Sequence, residues 1–309
     1  MIHAQKTTTE PDRGVSRMAE LLDVSRSGYY AWAARQRRDQ PGPRARRRTD
    51  LTVKIRVAHD ASDGVYGSPR IVADLREGGE VVSRKTVAKL MAANGIGGIS
   101  PRPWRPVTTI ADQNPHTIPD LVARRFDRGA LNKVWTSDIP PQAGGAPSYL
   151  DTGQGWLYLC AVRDGCSRRV LGYAFADSLH TDVVEAAVRR AVTFRGEETG
   201  PTATVIFHAD RGCQYTSTQL ADVAREVDVR LSMGRTGVCW DNAQQESFWS
   251  TLKTEYYERF WFDTHAEAIT GVSTWIGQVY NRARRHSSLR QISPVTFEHQ
   301  LTTAVAQAA

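Results

Sequence analysis

The chain has 309 residues, 40% of them hydrophobic, with 40 Lys+Arg against 33 Asp+Glu, a net charge of +7 and a pI of about 9.4. That length exceeds one small domain and that apolar content supports a real core, so two or three folded units are expected, and the basic balance suits a polyanionic partner as well as simple solubility. Four cysteines form no CxxC pair, no His-rich partner is spaced for zinc, the first residues lack the apolar core of a signal peptide, and no apolar run reaches the ~18 residues a membrane span needs; structural zinc, a disulfide framework, a leader and a membrane partner are therefore not expected, and a reducing cytoplasm is.

The charge is uneven. Residues 1–127 hold 22 Lys+Arg and 14 Asp+Glu, whereas residues 128–309 hold 18 and 19. The basic character thus belongs to the N-terminal part.

In chain order, residues 15–34 read as two short helices: Ser16 can cap the first, Asp23-Val24-Ser25 turns the chain, and Ser25 or Ser27 can start the second, which carries Arg26 near its beginning. This is a short helix-turn-helix pattern. A basic stretch with Pro41-Gly42-Pro43 follows, readable as a linker or as the basic start of a helix, so residues 1–50 form a first unit. Residues 51–97 give a second helix-turn-helix-like unit. Leu51–Val57 is helical, a helix begins near Ser68-Pro69-Arg70 and runs to Leu75, Gly78-Gly79 turns the chain, and Ser83 caps a third helix that stops near Gly95. The first turns of that helix expose Arg84, Lys85 and Lys89, the place from which a recognition helix reaches bases and phosphates. Residues 98–127, with five prolines between 101 and 119, read as an extended linker.

From residue 128 the pattern changes to strands. Val134–Ile139, Gly155–Val162 and Arg169–Phe175 read as three antiparallel strands, with a Pro/Gly-rich insert, residues 140–155, expected as a mobile loop between the first two. A helix capped by Thr181, a buried strand over Thr204–His208, a helix over Ser217–Val227, a short strand over Val229–Met233 and a helix over Asp241–Tyr257 follow. Three antiparallel strands followed by alternating helix and strand predict a mixed α/β sheet covered on both faces, the order of the ribonuclease-H-like fold, over residues 128–262. Residues 263–309 read as a C-terminal helix and tail, opened by the Thr264/Glu267 capping box. Its apolar stripe is Ile269, Val272, Ile276 and Val279, and Arg285 and His286 offer cations to DNA or to the helix end.

Three acidic residues stand out. Asp138 and Asp210 each end an apolar strand run, where an acid is costly unless it is paired or metal-bound. Glu246 lies on the later helix with Trp249, Ser250 and Lys253 on its face. Two strand-end carboxylates and one helical carboxylate can converge on a pair of hard, oxygen-liking cations, an arrangement that cuts and joins phosphodiesters. Each has an ordinary alternative: a salt-bridged loop for Asp210, an exposed charged face for Glu246. Other acids are assigned structural roles: turn chemistry for Asp164, an N-cap for Asp241, a solvent-facing position for Glu255. His208 is read as a strand residue near the site.

At these residues the chain resembles the DDE transposases of bacterial insertion sequences, in particular the insertion-sequence-three family, whose core is similar to retroviral integrase. The resembling segments are Trp135–Ile139, Tyr158–Asp164, Ser167-Arg168, His208–Tyr215, Asp241–Phe248, Thr251-Leu252-Lys253, Tyr280-Asn281 and Arg285–Leu289; upstream, Tyr66–Ile71 and Ser83–Val87 resemble the family's helix-turn-helix segment. The chain departs from that pattern at Pro140, at Ala209 and Cys213 beside the second Asp, and at Arg290. The resemblance implies that Asp138, Asp210 and Glu246 are catalytic and bind two Mg²⁺ ions, with Mn²⁺ as a substitute. It implies that Lys253 meets the transposon end, and that Arg26, Arg70, Arg84, Lys85, Lys89, Arg285 and His286 are candidates for DNA contact. It further implies terminal inverted repeats and target DNA as substrates and at least a dimer on two ends. It makes this chain similar to a second-reading-frame product, fused to or associated with an upstream-frame helix-turn-helix/leucine-zipper protein, in the nucleoid-associated cytoplasm. Two rival readings are a ribonuclease-H-like nuclease that does not join DNA and a non-catalytic DNA-binding regulator; a third is an inactive, decayed element.

Overall fold

A computed structural model describes residues 13–36, 42–100, 118–139, 149–199, 205–235 and 239–308. Residues 101–117 of the expected linker and 140–148 of the insert lie outside the described residues.

The N-terminal part is helical. α1 (Arg13–Leu21) and α2 (Arg26–Gln36) meet through Val15, Ala19, Tyr29 and Ala33. α3 (Pro43–Ala61) starts with proline at its first position, where the missing N–H costs nothing, so the basic run Arg44–Arg48 is helix rather than linker. α4 (Ser68–Glu77) and α5 (Arg84–Ala93) complete a three-helix unit around Leu51, Ile55, Ile71, Leu75, Val87 and Leu90. Gly79 adopts φ +85° in the turn between α4 and α5, a conformation that disfavours other residues, and the Ser83 hydroxyl accepts from the Thr86 N–H at 3.1 Å to start α5.

The larger part is a mixed sheet of β1 (Val134–Asp138), β2 (Leu150–Thr152), β3 (Gly155–Asp164), β4 (Val170–Ala176), β5 (Val205–Ala209) and β6 (Val229–Met233). β4, β3, β1, β5 and β6 lie side by side in that order; β4–β3–β1 are antiparallel, β1–β5–β6 parallel, and β2 pairs with the first residues of β3. Strand periodicity sends Cys160 and Val162 of β3 to one face and Leu157, Leu159 and Ala161 to the other. On the first face lie α6 (Thr181–Thr199) and α7 (Thr218–Glu226), packing Val184, Ala187, Val188, Leu220 and Val223 on Trp135 and Phe207. Gly172 permits this: a Cβ there would stand 2.4 Å from the Ala187 carbonyl oxygen of α6. On the second face lies α8 (Ala243–Glu255), with Phe248, Trp249 and Leu252 buried.

Two expectations change. The end of the insert is strand β2, because Leu150 and Thr152 pair with β3, so it is not wholly a loop. Residues 118–127 belong to the core: Val122 and Phe126 are buried with Val134 and Ile206, and the Leu121 N–H donates to Ser232. The C-terminal helix supports the core, as its apolar stripe implies. α9 (His265–Thr274), whose Thr264/Glu267 capping box forms as expected, runs into a π-helical stretch over Trp275–Ala283 and places Val272, Trp275, Ile276 and Tyr280 in the same apolar cluster as α8. Ile269 and Val279 of the expected stripe are more than one-third exposed. In α10 (Pro294–Ala308), buried Glu298 pairs with Arg195 of α6 and with Arg169 just before β4.

Candidate active site and DNA-facing surfaces

Asp138 is the last residue of β1, opposite Ala161 of β3, and its side chain is buried on the α8 face of the sheet. Asp210 follows β5 directly, on the parallel neighbour of β1, and is half-buried. Glu246 is in the first turn of α8, half-buried. α8 is fixed against the sheet by Gln245. This buried side chain donates to the Ala161 carbonyl at 2.7 Å and accepts from Arg163 at 3.3 Å and Thr136 at 3.4 Å. Register and this anchor bring three carboxylates from distant segments into one electrostatic neighbourhood.

Burial pushes the Asp138 carboxyl well above its usual range, and the charges of Asp210 and Glu246 add to that. Burial also raises Asp210, against the Gly212 N–H that donates to its Oδ1 at 3.2 Å. Glu246 is raised by burial and then by Asp210. The Asp138 Oδ1 is buried with no hydrogen-bond partner, and so is the Trp249 Nε1; the indole N–H is close enough to favour the Asp138 charge, although neither atom completes a hydrogen bond. An orphaned carboxylate oxygen among repelling carboxylates is the donor set a hard divalent cation takes, so these residues fit such an ion. Among the described residues no three His, Cys, Asp or Glu side chains are gathered closely enough to cage a metal as they stand. The trio is an electrostatic cluster rather than a closed cage.

The surrounding acids differ from expectation. Asp241 is no N-cap; Asn242 holds that position, and buried Asp241 bridges Arg124 at 2.7 Å and Arg235 at 2.9 Å, which keeps it ionised against the penalty of burial. Glu255 is buried rather than solvent-facing, held by Arg284 at 2.5 Å and Arg70 at 3.0 Å. Asp164 caps its own turn through the Cys166 and Ser167 N–H groups, as expected. His208 is a buried strand residue bonded to Ser232 and the Asp241 carbonyl.

The candidate DNA contacts separate into two groups. Arg26, Arg84, Lys85 and Lys89 are exposed on α2 and α5. Arg70 and Arg285 are half-buried between the helical unit and the core; Arg70 pairs with Glu255, and Arg285 with Asp74 and Glu77. His286 is the clearest correction. It is buried against Tyr280, and burial, followed by the Arg284 and Arg163 charges, pulls its ring down to about 2, so it is neutral and offers DNA no cation. Lys253 is half-buried on α8; burial lowers it while Glu258 favours its charge. Trp249, expected beside Glu246 on the less apolar face, is buried under the trio. Gln245 is an anchor that the sequence does not mark, since its neighbours Gln244 and Glu246 are polar too.

The integrase core domain family matches residues 130–239 and, in a second match, 227–294, and the HTH-like domain family matches residues 45–104. The chain is 32% identical over 289 residues to the transposase InsF for insertion sequence IS3A of Escherichia coli, covering 93% of this chain and 94% of that protein. The chain belongs to the IS3 family of DDE transposases. It is also 33% identical over 283 residues to an uncharacterized 31 kDa protein of insertion element IS600 from Shigella sonnei, covering 92% and 98%. Among solved structures, it is similar to a simian T-cell lymphotropic virus intasome chain (TM-score 0.43, 12% identity, covering 80% of this chain and 74% of that one). It is similar too to the catalytic core of BIV integrase (TM-score 0.37, 12% identity, covering 58% and 99%). As a member of this family the chain is a polynucleotidyl transferase that binds DNA, and such transposases depend on divalent metal. No described helix is long and apolar enough to cross a membrane.

Proposed function

We propose that this transposase cleaves DNA at the ends of its insertion sequence and transfers the freed 3′-OH into target DNA, with Asp138, Asp210 and Glu246 as its metal-binding triad. The observation that carries this reading is the buried, partnerless Asp138 Oδ1 within electrostatic reach of the other two carboxylates. Asp138, the most buried of the three, would hold the ions together with Asp210 and Glu246. Bound there, two Mg²⁺ ions, replaceable by Mn²⁺, supply activation of the attacking hydroxyl or water and neutralisation of charge on the leaving oxygen. The chain's own residues do the remainder: Gln245 fixes α8 and so Glu246, β1 and β5 fix the two aspartates, and Trp249 closes the space beneath them against water. The exposed cations of α5 seat the helical unit on the terminal repeat. Two ends must be processed together, so the working form is at least a dimer on DNA, and an upstream-frame helix-turn-helix/leucine-zipper partner or fusion completes it in the cytoplasm.

The test is strand transfer with a duplex carrying a pre-cut 3′ end, in Mg²⁺. Joined products from the native chain, lost on Asp138→Asn, support the reading. Hydrolysis without joining would replace it with a nuclease, and DNA binding with neither reaction would replace it with a regulator.

A further inference from the structure

A second site lies on a different face of α8 from Glu246. It is a polar cavity of about 120 Å³ in the cleft between the helical unit and the core. Four arginines converge on it: Arg70 from α4, Arg163 from the end of β3, Arg168 from the turn before β4, and Arg284 after the π-helical stretch. Arg163 is 3% exposed and Arg284 8%. Exposed Ser247, Ser287 and Ser288 stand at the rim.

The charges do not balance. Glu255 answers both Arg70 and Arg284. Among the described residues neither Arg163 nor Arg168 makes an ion pair, and the Arg168 Nε is buried without a hydrogen-bond partner. Asp164 lies within reach of both and Asp127 within reach of Arg168, but the Asp164 oxygens accept from the N–H groups of Asn132, Cys166 and Ser167, and the Asp127 Oδ1 accepts from the Gly129 N–H. Arg163 is held by stacking on Phe248 and Tyr280 and by donating to the Gln244 carbonyl. Those contacts orient the guanidinium without neutralising it. His286, which also lines the cavity, is neutral and takes up none of the charge. A buried guanidinium cluster with this excess is costly unless an anion joins it.

We infer that this pit is an oxyanion site that takes one backbone phosphate of the element-end DNA. Guanidinium groups at the bottom and hydroxyls at the rim are the donors that a tetrahedral phosphate accepts from. Ser247 directly follows Glu246, about 100° further round the helix, so the pit and the residue proposed to bind metal at the scissile bond share the first turns of α8 on different faces. The phosphate chemistry stands on the cavity alone, while its source in DNA rests on the proposed function.

The experiment uses the full chain and Arg168→Gln, with Arg168→Lys as the charge-keeping variant. The first arm compares thermal unfolding in inorganic phosphate and in chloride at matched ionic strength. The second measures affinity for an element-end duplex by fluorescence anisotropy across a salt series. Phosphate is expected to raise the melting temperature of the native chain and of Arg168→Lys, but not of Arg168→Gln. Arg168→Gln is expected to bind the duplex roughly tenfold more weakly, the size of one lost charge-assisted hydrogen bond, with a log–log salt slope shallower by about 0.9. If Arg168→Gln does not fold, Ser247→Ala and Ser288→Ala at the exposed rim report instead, each weakening DNA binding about threefold. A phosphate effect with unchanged DNA affinity and slope overturns the DNA assignment and leaves a free-oxyanion site. No effect in either arm overturns the site altogether. A native chain that binds no DNA counts against the proposed function, and the phosphate arm still reads the pit.

Discussion

Arg70 of the helix-turn-helix unit and Glu255 of the catalytic core form an ion pair at 3.0 Å across 185 residues of chain. Arg284 grips the same carboxylate with two further hydrogen bonds, at 2.5 and 2.7 Å, so one buried acid ties three segments together. Removing it leaves Arg284 buried and unpaired. Glu255→Gln is expected to destabilise the chain by about 3–5 kcal/mol, read as a lowered midpoint in denaturant unfolding. An unchanged midpoint would mean that the pair contributes nothing.

The same residue sets an acid sensitivity. Burial works against the Glu255 charge, but the hydrogen bonds and charges of Arg284 and Arg70 outweigh it and hold the carboxyl below its usual range. A depressed folded-state value means that the stabilisation is fully present above the unfolded value of about 4.3 and is lost as pH falls through the folded one. Unfolding midpoints measured downward from pH 6 should drop more steeply for the native chain than for Glu255→Gln.

At the carboxylate trio, the proposed function and stability oppose each other. Asp138→Asn, Asp210→Asn and Glu246→Gln should each abolish strand transfer while end binding stays near native, as gel shift would show. Asp138→Asn also relieves a buried charge that two neighbouring acids repel. Without divalent metal it should be more stable than the native chain by about 1–2 kcal/mol. Mg²⁺ should raise the melting temperature of the native chain and not of this variant. A variant that still joins DNA at the native rate removes that residue from the triad.

The positions of the trio were legible in the sequence because each closes or opens a short, strongly patterned element: apolar strand runs for Asp138 and Asp210, an amphipathic helix for Glu246. The sheet was legible for the same reason. Its β2 strand was not, since three residues after a Pro/Gly-rich stretch carry no pattern of their own and are strand only by pairing with β3. The roles of Glu255, Arg285 and His286 were not legible either. Their partners lie as far as 219 residues away, and a run such as Arg284-Arg285-His286 looks the same whether it faces DNA or folds into a cleft.

On α5, Arg84, Lys85 and Lys89 carry their charge outside the core, so their loss should spare the fold. Lys85→Gln and Lys89→Gln are each expected to lower the salt slope of DNA binding by about 0.9 if the lysine meets one phosphate. Arg84→Ala should cost about 1–3 kcal/mol of discrimination if it meets a base edge. Anisotropy titrations against matched and scrambled repeats distinguish the two. Equal affinity across all three variants would move the recognition surface elsewhere, to α2 with Arg26.

Glu298 on α10 is buried and bridges Arg195, which is 1% exposed, with Arg169 and the Ser167 hydroxyl. Burial disfavours its charge, but these partners keep the carboxyl below its usual range. Glu298→Ala should cost about 3–5 kcal/mol in denaturant unfolding, a penalty no frayed tail would carry.

The shared grip of Arg70 and Arg284 on Glu255 has a metrical consequence. When the part that recognises a sequence and the part that breaks a bond are clamped into one frame, the count of base pairs separating the two is set by protein geometry, as the jaws of a caliper set a gap. Loosening that clamp should scatter the positions at which the element is cut before it stops the cutting.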